Sequence, residues 1–191
     1  IVSTFIGTLG AIGTFYSKKR YKQTIETLTQ LPVVNAEIVM ALSLAVLFVT
    51  LTGGKFTFFT LLIGHVVLTV AFVYLSVKPK LQQMDPNIYE AALDLGASPR
   101  KALFKVILPE ILPGILSGFM LSLTLSLDDF IITQYLKEPS FETLSTYVQK
   151  ILSKRPMPPE VRALTTFIFL LAVVIVVINN IKSHQEAKKG K

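Results

Sequence analysis

Apolar positions in this chain gather into long runs, separated by shorter stretches where the polar and basic residues collect. A helix needs about 20 residues to cross the hydrocarbon of a bilayer, because each residue advances about 1.5 Å across about 30 Å. Four runs meet that length: 33–51, 56–77, 111–136 and 163–181. The opening run, IVSTFIGTLGAIGTFY (1–16), is short by itself and reads as the surviving end of a fifth helix. The pattern therefore predicts an all-α fold, a polytopic membrane helix bundle of five spans. Since Ile1 already lies inside an apolar run, with no Met or basic flank before it, the expectation is that the N-terminal span or spans are missing.

Composition sharpens this picture. Hydrophobic residues make up 51% of the 191 positions and charged residues only 16%, a balance rare in soluble domains. The formal charge is +7, and its distribution carries a topology signal. Lys18, Lys19, Arg20 and Lys22 fall between the first two spans; Lys78, Lys80, Arg100, Lys101 and Lys105 fall in 78–109; Lys182, Lys188, Lys189 and Lys191 fall in the tail, 182–191. These three segments alternate so as to share one side, and the excess of cations assigns it to the cytoplasm. On the opposite side, segment 137–161 balances Lys137, Lys150, Lys154 and Arg155 against Glu138, Glu142 and Glu160. No basic and aromatic interleaving accompanies the charge, so the expected partner is lipid and not nucleic acid.

The segment 78–109 is the most carefully punctuated part of the chain and predicts two short helices. Asp85 is placed to cap the first, with Pro86 at its first position, where a missing N–H costs nothing. Gly96 supplies a left-handed residue to end it. Ser98 caps the second, followed by Pro99, and Pro109 marks the passage into the next span. On the first helix Ile88, Ala91, Ala92 and Leu95 share one face, with Glu90 and Asp94 on the other. The two alanines allow a partner to approach closely, a shape suited to docking in a groove.

Glu90-Ala91-Ala92, three residues, Gly96, nine residues, Val106, one residue, Leu108-Pro109 resembles the EAA loop of the membrane permeases of ABC importers, with Val106 where that family usually has Ile. The resemblance extends along the chain, from the Ser3–Gly10 region through Leu31-Pro32 to the last span. It implies a type I importer permease, whose loop is a coupling helix seated in a cleft of a cytoplasmic ATPase. Glu90, Ala91, Ala92, Leu95, Gly96, Leu108 and Pro109 would then make that contact. The implied partners are a second permease subunit, an ATPase dimer and an external substrate-binding protein. No cofactor is expected in this chain; ATP and Mg belong to the partner ATPase.

Acids inside apolar segments are costly and by default functional. Ser126-Leu127-Asp128-Asp129-Phe130 places two adjacent carboxylates near the outer end of the 111–136 run, and Glu37 lies near the start of 33–51. The SLDDF segment resembles the spermidine/putrescine importer permeases, specifically the second of their two permease subunits. That likeness implies a polyamine substrate, for whose ammonium groups Asp128, Asp129 and Glu37 would be transient partners. Beside this stands a structural role for Asp128 and Asp129 at a helix end. Two neighbours on a helix point about 100° apart, so one acid is expected to face the path and the other to hold a helix end or a neighbour. Other cations, of the ferric ion or thiamine class, are the alternative cargo.

Gly114 and Gly118, with Ser117 beside them, form a close-approach face expected to pack within the chain. Phe141, Leu144, Tyr147, Val148, Ile151 and Leu152 recur at helical spacing after Ser140 and predict an interfacial helix. His65, alone on an apolar helix, is expected to be a packed, hydrogen-bonded histidine and not a proton relay. The absence of Cys and the separation of His65 from His184 argue against a metal centre. No GxxxxGK[ST], HExxH or GxSxG occurs, so neither an ATPase nor an intramembrane hydrolase is expected, and a scaffold without transport would need no buried acids.

Overall fold

A computed structural model of the chain describes residues 1–85 and 87–154, with isolated positions (159, 163, 166, 167 and 170) beyond. The expected tail, 182–191, lies outside the described residues, as does the expected span 163–181 apart from those positions; Pro86 lies outside as well. Every regular element among the described residues is helical: α1 (Val2–Phe15), α2 (Lys19–Val34), α3 (Glu37–Thr52), α4 (Phe58–Gln83), α5 (Ile88–Asp94), α6 (Pro99–Ala102), α7 (Leu108–Asp128), α8 (Ile131–Leu136) and α9 (Leu144–Lys154). Two compact units divide the chain, Ile1–Tyr147 and Val148–Lys191; all that follows concerns the first.

α4 is the central helix, packed by α1 and α7 along its length. Close approach is made by glycine: a Cβ on Gly7 of α1 would stand 2.8 Å from the Val73 side chain, and one on Gly118 of α7 3.1 Å from Val73 Cα. Gly114 meets Lys80 and the Ser76 carbonyl in the same way. The Gly114–Gly118 pair thus packs within the chain, van der Waals contact between backbones replacing the hydrophobic drive that lipid removes. The main core follows α4 from Val73, Tyr74 and Val77 to Leu81, closed by Ala11 and Ile12 of α1 and Ile107 and Ile111.

Two runs that the sequence pattern draws as single spans are broken. In the run 33–51, Val33 and Val34 finish α2, and α3 begins only at Glu37, the two helices meeting at 107°. Asn35 and Ala36 are extended there (ψ 144° and 132°), and Glu37 places its acid in the first turn, where the helix dipole favours it. The run 111–136 breaks at Asp129 (φ −59°, ψ 119°), so that α8 turns away from α7 and packs on α3 and α4 through Ile132 and Leu136. Asp is a poor interior residue and a good cap, which is why the break falls there.

At the other end the boundary moves the opposite way. Lys78–Gln83 extends α4 past the predicted start of the polar loop. Pro99–Asp128 is one continuous helical path of 30 residues, long and apolar enough, like α4, to cross a membrane. Pro109 does not interrupt it. The turn before it, Leu103–Ile107, widens into a π-helical turn that absorbs the missing N–H.

Candidate functional site

Two clusters carry the residues singled out above. The first is the loop between α4 and α7. Asp85 does not cap α5: its Oδ1 accepts from the Asn87 N–H at 2.9 Å, and Asn87 takes the cap position. The C-terminal end follows the expectation. Gly96 has φ +84°, its N–H donates to the Leu93 carbonyl at 2.8 Å, and the Ala97 N–H reaches back to the Ala92 carbonyl at 3.1 Å. This is a Schellman closure, which a residue with a Cβ resists. Ser98 Oγ accepts from the Lys101 N–H at 3.4 Å and starts α6.

The predicted apolar face of α5 is split. Ile88 and Tyr89 pack against the core with Leu103 and Leu108, and the Tyr89 ring lies 5.4 Å from that of Tyr16 at the end of α1. Ala92 is half-buried, whereas Glu90, Ala91, Gly96 and Pro109 are exposed and Leu95 is 89% exposed. A seven-residue helix docks on its parent with one side and keeps Ala91 and Leu95 for the other. Tyr89 was the unpredicted member of the inward face; its i+3 relation to Ala92 was the available signal.

The second cluster sits at the α7–α8 corner. Asp129 is only 5% exposed. Its Oδ1 accepts from the Ile132 N–H at 3.1 Å, and its Oδ2 accepts from the Thr133 N–H at 2.8 Å and the Thr133 hydroxyl at 2.7 Å. These bonds satisfy the free donors at the start of α8 and make Asp129 its working cap. Its carbonyl accepts from Ser145 Oγ at 2.7 Å. From α4, His65 Nε2 lies 3.3 Å from Asp129 Oδ2. Asp128, the last residue of α7, is exposed. Glu37, half-buried in the first turn of α3, comes within hydrogen-bonding reach of Asp129 and within electrostatic reach of Asp128 and His65.

The fold thus brings together three acids that lie 91 and 92 positions apart in the sequence (128 − 37 and 129 − 37), and of the adjacent pair Asp129 is the one that holds a helix end. His65 is packed and hydrogen-bonded, to Ser126 Oγ at 2.7 Å and Thr133 Oγ1 at 2.9 Å. Its attachment to Asp129 had no local signal, since they lie 64 positions apart (129 − 65). A cavity of about 190 Å³ between α1, α4 and α7 has His65, Ser3, Thr69, Ser122 and Ser126 in an otherwise apolar lining. The described residues include no group of His, Asp and Glu arranged to hold a metal ion.

A family model described as the binding-protein-dependent transport system inner membrane component matches residues 3–190. The spermidine/putrescine transport system permease protein PotC of Escherichia coli K12 is 34% identical over 186 residues, covering 97% of this chain and 70% of that protein. The putrescine transport system permease protein PotI of the same organism is 34% identical over 172 residues, 87% of this chain and 61% of that one. Among solved structures, a crystal structure of an amino acid ABC transporter with histidines superposes with a TM-score of 0.58 at 18% identity, covering 91% of this chain and 83% of that chain, which establishes a shared fold. Broken apolar helices around a central span, a punctuated polar loop and a family match over nearly the whole length agree: this chain belongs to the binding-protein-dependent inner membrane transport components, the permeases of ABC importers.

Proposed function

We propose that this chain forms half of the translocation path for a polyamine such as spermidine or putrescine, with Asp128 as a cation waypoint and the α5 loop as the contact with a cytoplasmic ATPase. The observation that carries the substrate reading is the division of labour at the corner. Asp129 is occupied by the α8 donors, while its neighbour Asp128 is exposed with Glu37 in electrostatic reach. An exposed carboxylate lowers the barrier for a passing ammonium without holding it in a deep well, and a deep well would slow release. Selection and affinity then rest with an external binding protein, which delivers cargo to this subunit and a second permease subunit. The similarity to permeases named for spermidine and putrescine supports this choice of cargo.

The loop reading rests on shape. α5 is anchored by Ile88 and Tyr89 and presents Ala91, Leu95 and the Glu90 carboxylate outward at a rigid Gly96 turn, a small apolar knob rimmed by charge. ATP and Mg would be held by the ATPase, and the basic segments would place the loop and the C-terminal tail in the cytoplasm. Uptake by the reconstituted importer tests the substrate reading. Asp128→Asn keeps size and hydrogen bonding, so it lowers the transport rate while subunit assembly and binding-protein affinity stay unchanged. Full uptake of spermidine and putrescine in Asp128→Asn, Glu37→Gln and the double variant removes the waypoint.

A further inference from the structure

His65 lies in an apolar stretch of α4, and the cation path proposed above makes no use of it. Both of its ring nitrogens are nevertheless engaged, one with α7 and one with α8. With Asp129 as an ionised carboxylate, counting hydrogens assigns the Nε2 side. The Thr133 hydroxyl has a single proton, which it donates to Asp129 Oδ2 at 2.7 Å. Towards His65 it can only accept, so Nε2 carries a proton that points at Thr133 Oγ1 (2.9 Å) and Asp129 Oδ2 (3.3 Å). On the other side Ser126 Oγ donates to Nδ1 of a neutral ring or accepts from a charged one, and either assignment is complete.

The neighbouring residue explains why the ring can reach. A Cβ on Gly64 would collide with Ile132 and Leu136, so α8 lies directly on α4 here. Thr60, one turn earlier, adds a hydrogen bond from its hydroxyl to the Leu136 carbonyl at 2.9 Å. Gly64 provides the contact, and His65 pins the bend from within. Where Asp128 points is set by the backbone at 128–129, and that backbone is held by Asp129.

We propose that His65 is a positioning residue for translocation: through Asp129 it fixes the α7–α8 corner and with it the place at which Asp128 meets the passing cation. The inference rests on the waypoint reading of Asp128, and the arrangement of its atoms separates it from a mere packing role. Gln reproduces the reach of Nε2 and Asn that of Nδ1. His65→Gln keeps a donor for Asp129 and Thr133, whereas His65→Asn keeps only a partner for Ser126.

The test uses the assembled importer in proteoliposomes, with binding protein loaded with spermidine. His65→Asn lowers the maximal uptake rate by about tenfold, the loss expected when one charge-assisted hydrogen bond goes. The concentration of loaded binding protein giving half-maximal uptake does not change, and His65→Gln restores most of the rate. Because the chain has no cysteine, Gln134→Cys on the exposed side of α8 reports the corner without involving transport, through its rate of reaction with a membrane-impermeant thiol reagent. That rate shifts several-fold in His65→Asn and returns in His65→Gln, while a control at the same end of the helices, Lys55→Cys in the exposed turn before α4, stays constant. A His65→Asn protein that transports as well as His65→Gln, or an unchanged reaction rate at position 134, overturns the positioning role whatever Asp128→Asn does. A shifted reaction rate together with normal uptake in Asp128→Asn instead leaves His65 as the clamp and discards the waypoint.

Discussion

Replacing Asp129 by Asn and, separately, Asp128 by Asn separates structure from transport at two adjacent positions. The Asp129 carboxylate receives two backbone N–H groups and one hydroxyl from the start of α8, and faces the Nε2–H of His65. Asn remains a good cap, so one of the backbone bonds survives. Its second atom is an NH2 group, which would face the Thr133 N–H, the Thr133 hydroxyl and the histidine, donor against donor. A buried donor left without its partner costs about 1–3 kcal/mol. At about 2–4 °C per kcal/mol for a chain of this size, the apparent midpoint falls by about 4–8 °C for a loss near the middle of that range. Asp128 is exposed and makes no described bond to α8, so Asp128→Asn stays within about 0.5 kcal/mol of the parent. Thermal loss of the monodisperse peak of a fluorescent fusion, heated at one fixed rate in detergent, measures both. A fall in Asp128→Asn as large as that in Asp129→Asn refutes the assignment of the cap.

Gly64→Ala and Gly13→Ala should move in opposite directions. The first drives a methyl into Ile132 and Leu136, an overpacking cost of about 1–3 kcal/mol, while the second meets nothing within 4 Å in the last turn of α1 and gains about 0.5 kcal/mol in the same thermal assay. Gly96→Val meets no neighbour either, so its cost is backbone strain alone, about 1–2 kcal/mol at φ +84°. It should weaken co-purification with the ATPase more than Ala97→Val does, and equal retention by both variants rules out a need for the left-handed turn. Glu90→Lys reverses charge on the exposed side of α5 and should reduce ATP-driven uptake with the spans still inserted. Full uptake with a normally associated ATPase would remove α5 from the coupling contact.

Much of this was legible because local chemistry and fold agree. The apolar runs marked α1, α3, α4 and α7, and the dipeptides Leu95-Gly96 and Ser98-Pro99 marked a stop and a start that hydrogen bonds then make. Hydropathy failed where an apolar run hides a corner. Phe130 through Leu136 is as hydrophobic as the helix before it, and only the acid at 129 distinguishes a break from a continuation. Pro109 does stand at the passage into the span, in the first turn of α7, but the helix runs through it. A proline signals an end when the preceding helix must keep its i→i−4 bonds, but a π turn accommodates the missing donor and lets the helix pass. Lys78 and Lys80 read as loop residues, yet Lys78 pairs with Glu26 of α2 at 2.8 Å and α4 continues to Gln83. The union of His65 with Asp129 follows from tertiary packing alone, and no periodicity encodes it.

The two clusters share one element. α4 carries the seat of the α7–α8 corner at Gly64 and His65, the contact with glycines of α1 and α7 at Val73, and, down to Leu81, the core cluster against which Ile88 and Tyr89 of the loop pack. From His65 to Leu81 is about 24 Å of helix at about 1.5 Å per residue. At Val73 the glycines Gly7 and Gly118 bring α1 and α7 so close that a Cβ on either would crowd it, so α4 cannot move toward either neighbour without pressing on it. A close-packed interior responds to such a push by moving whole elements. A push on α5 would therefore reach the corner as a shift of α4 along or about its own axis. His65 is the residue that would turn such a shift into a change at Asp129, since its bonds, at 2.7–3.3 Å, lengthen past hydrogen-bonding range with a displacement of about 1 Å.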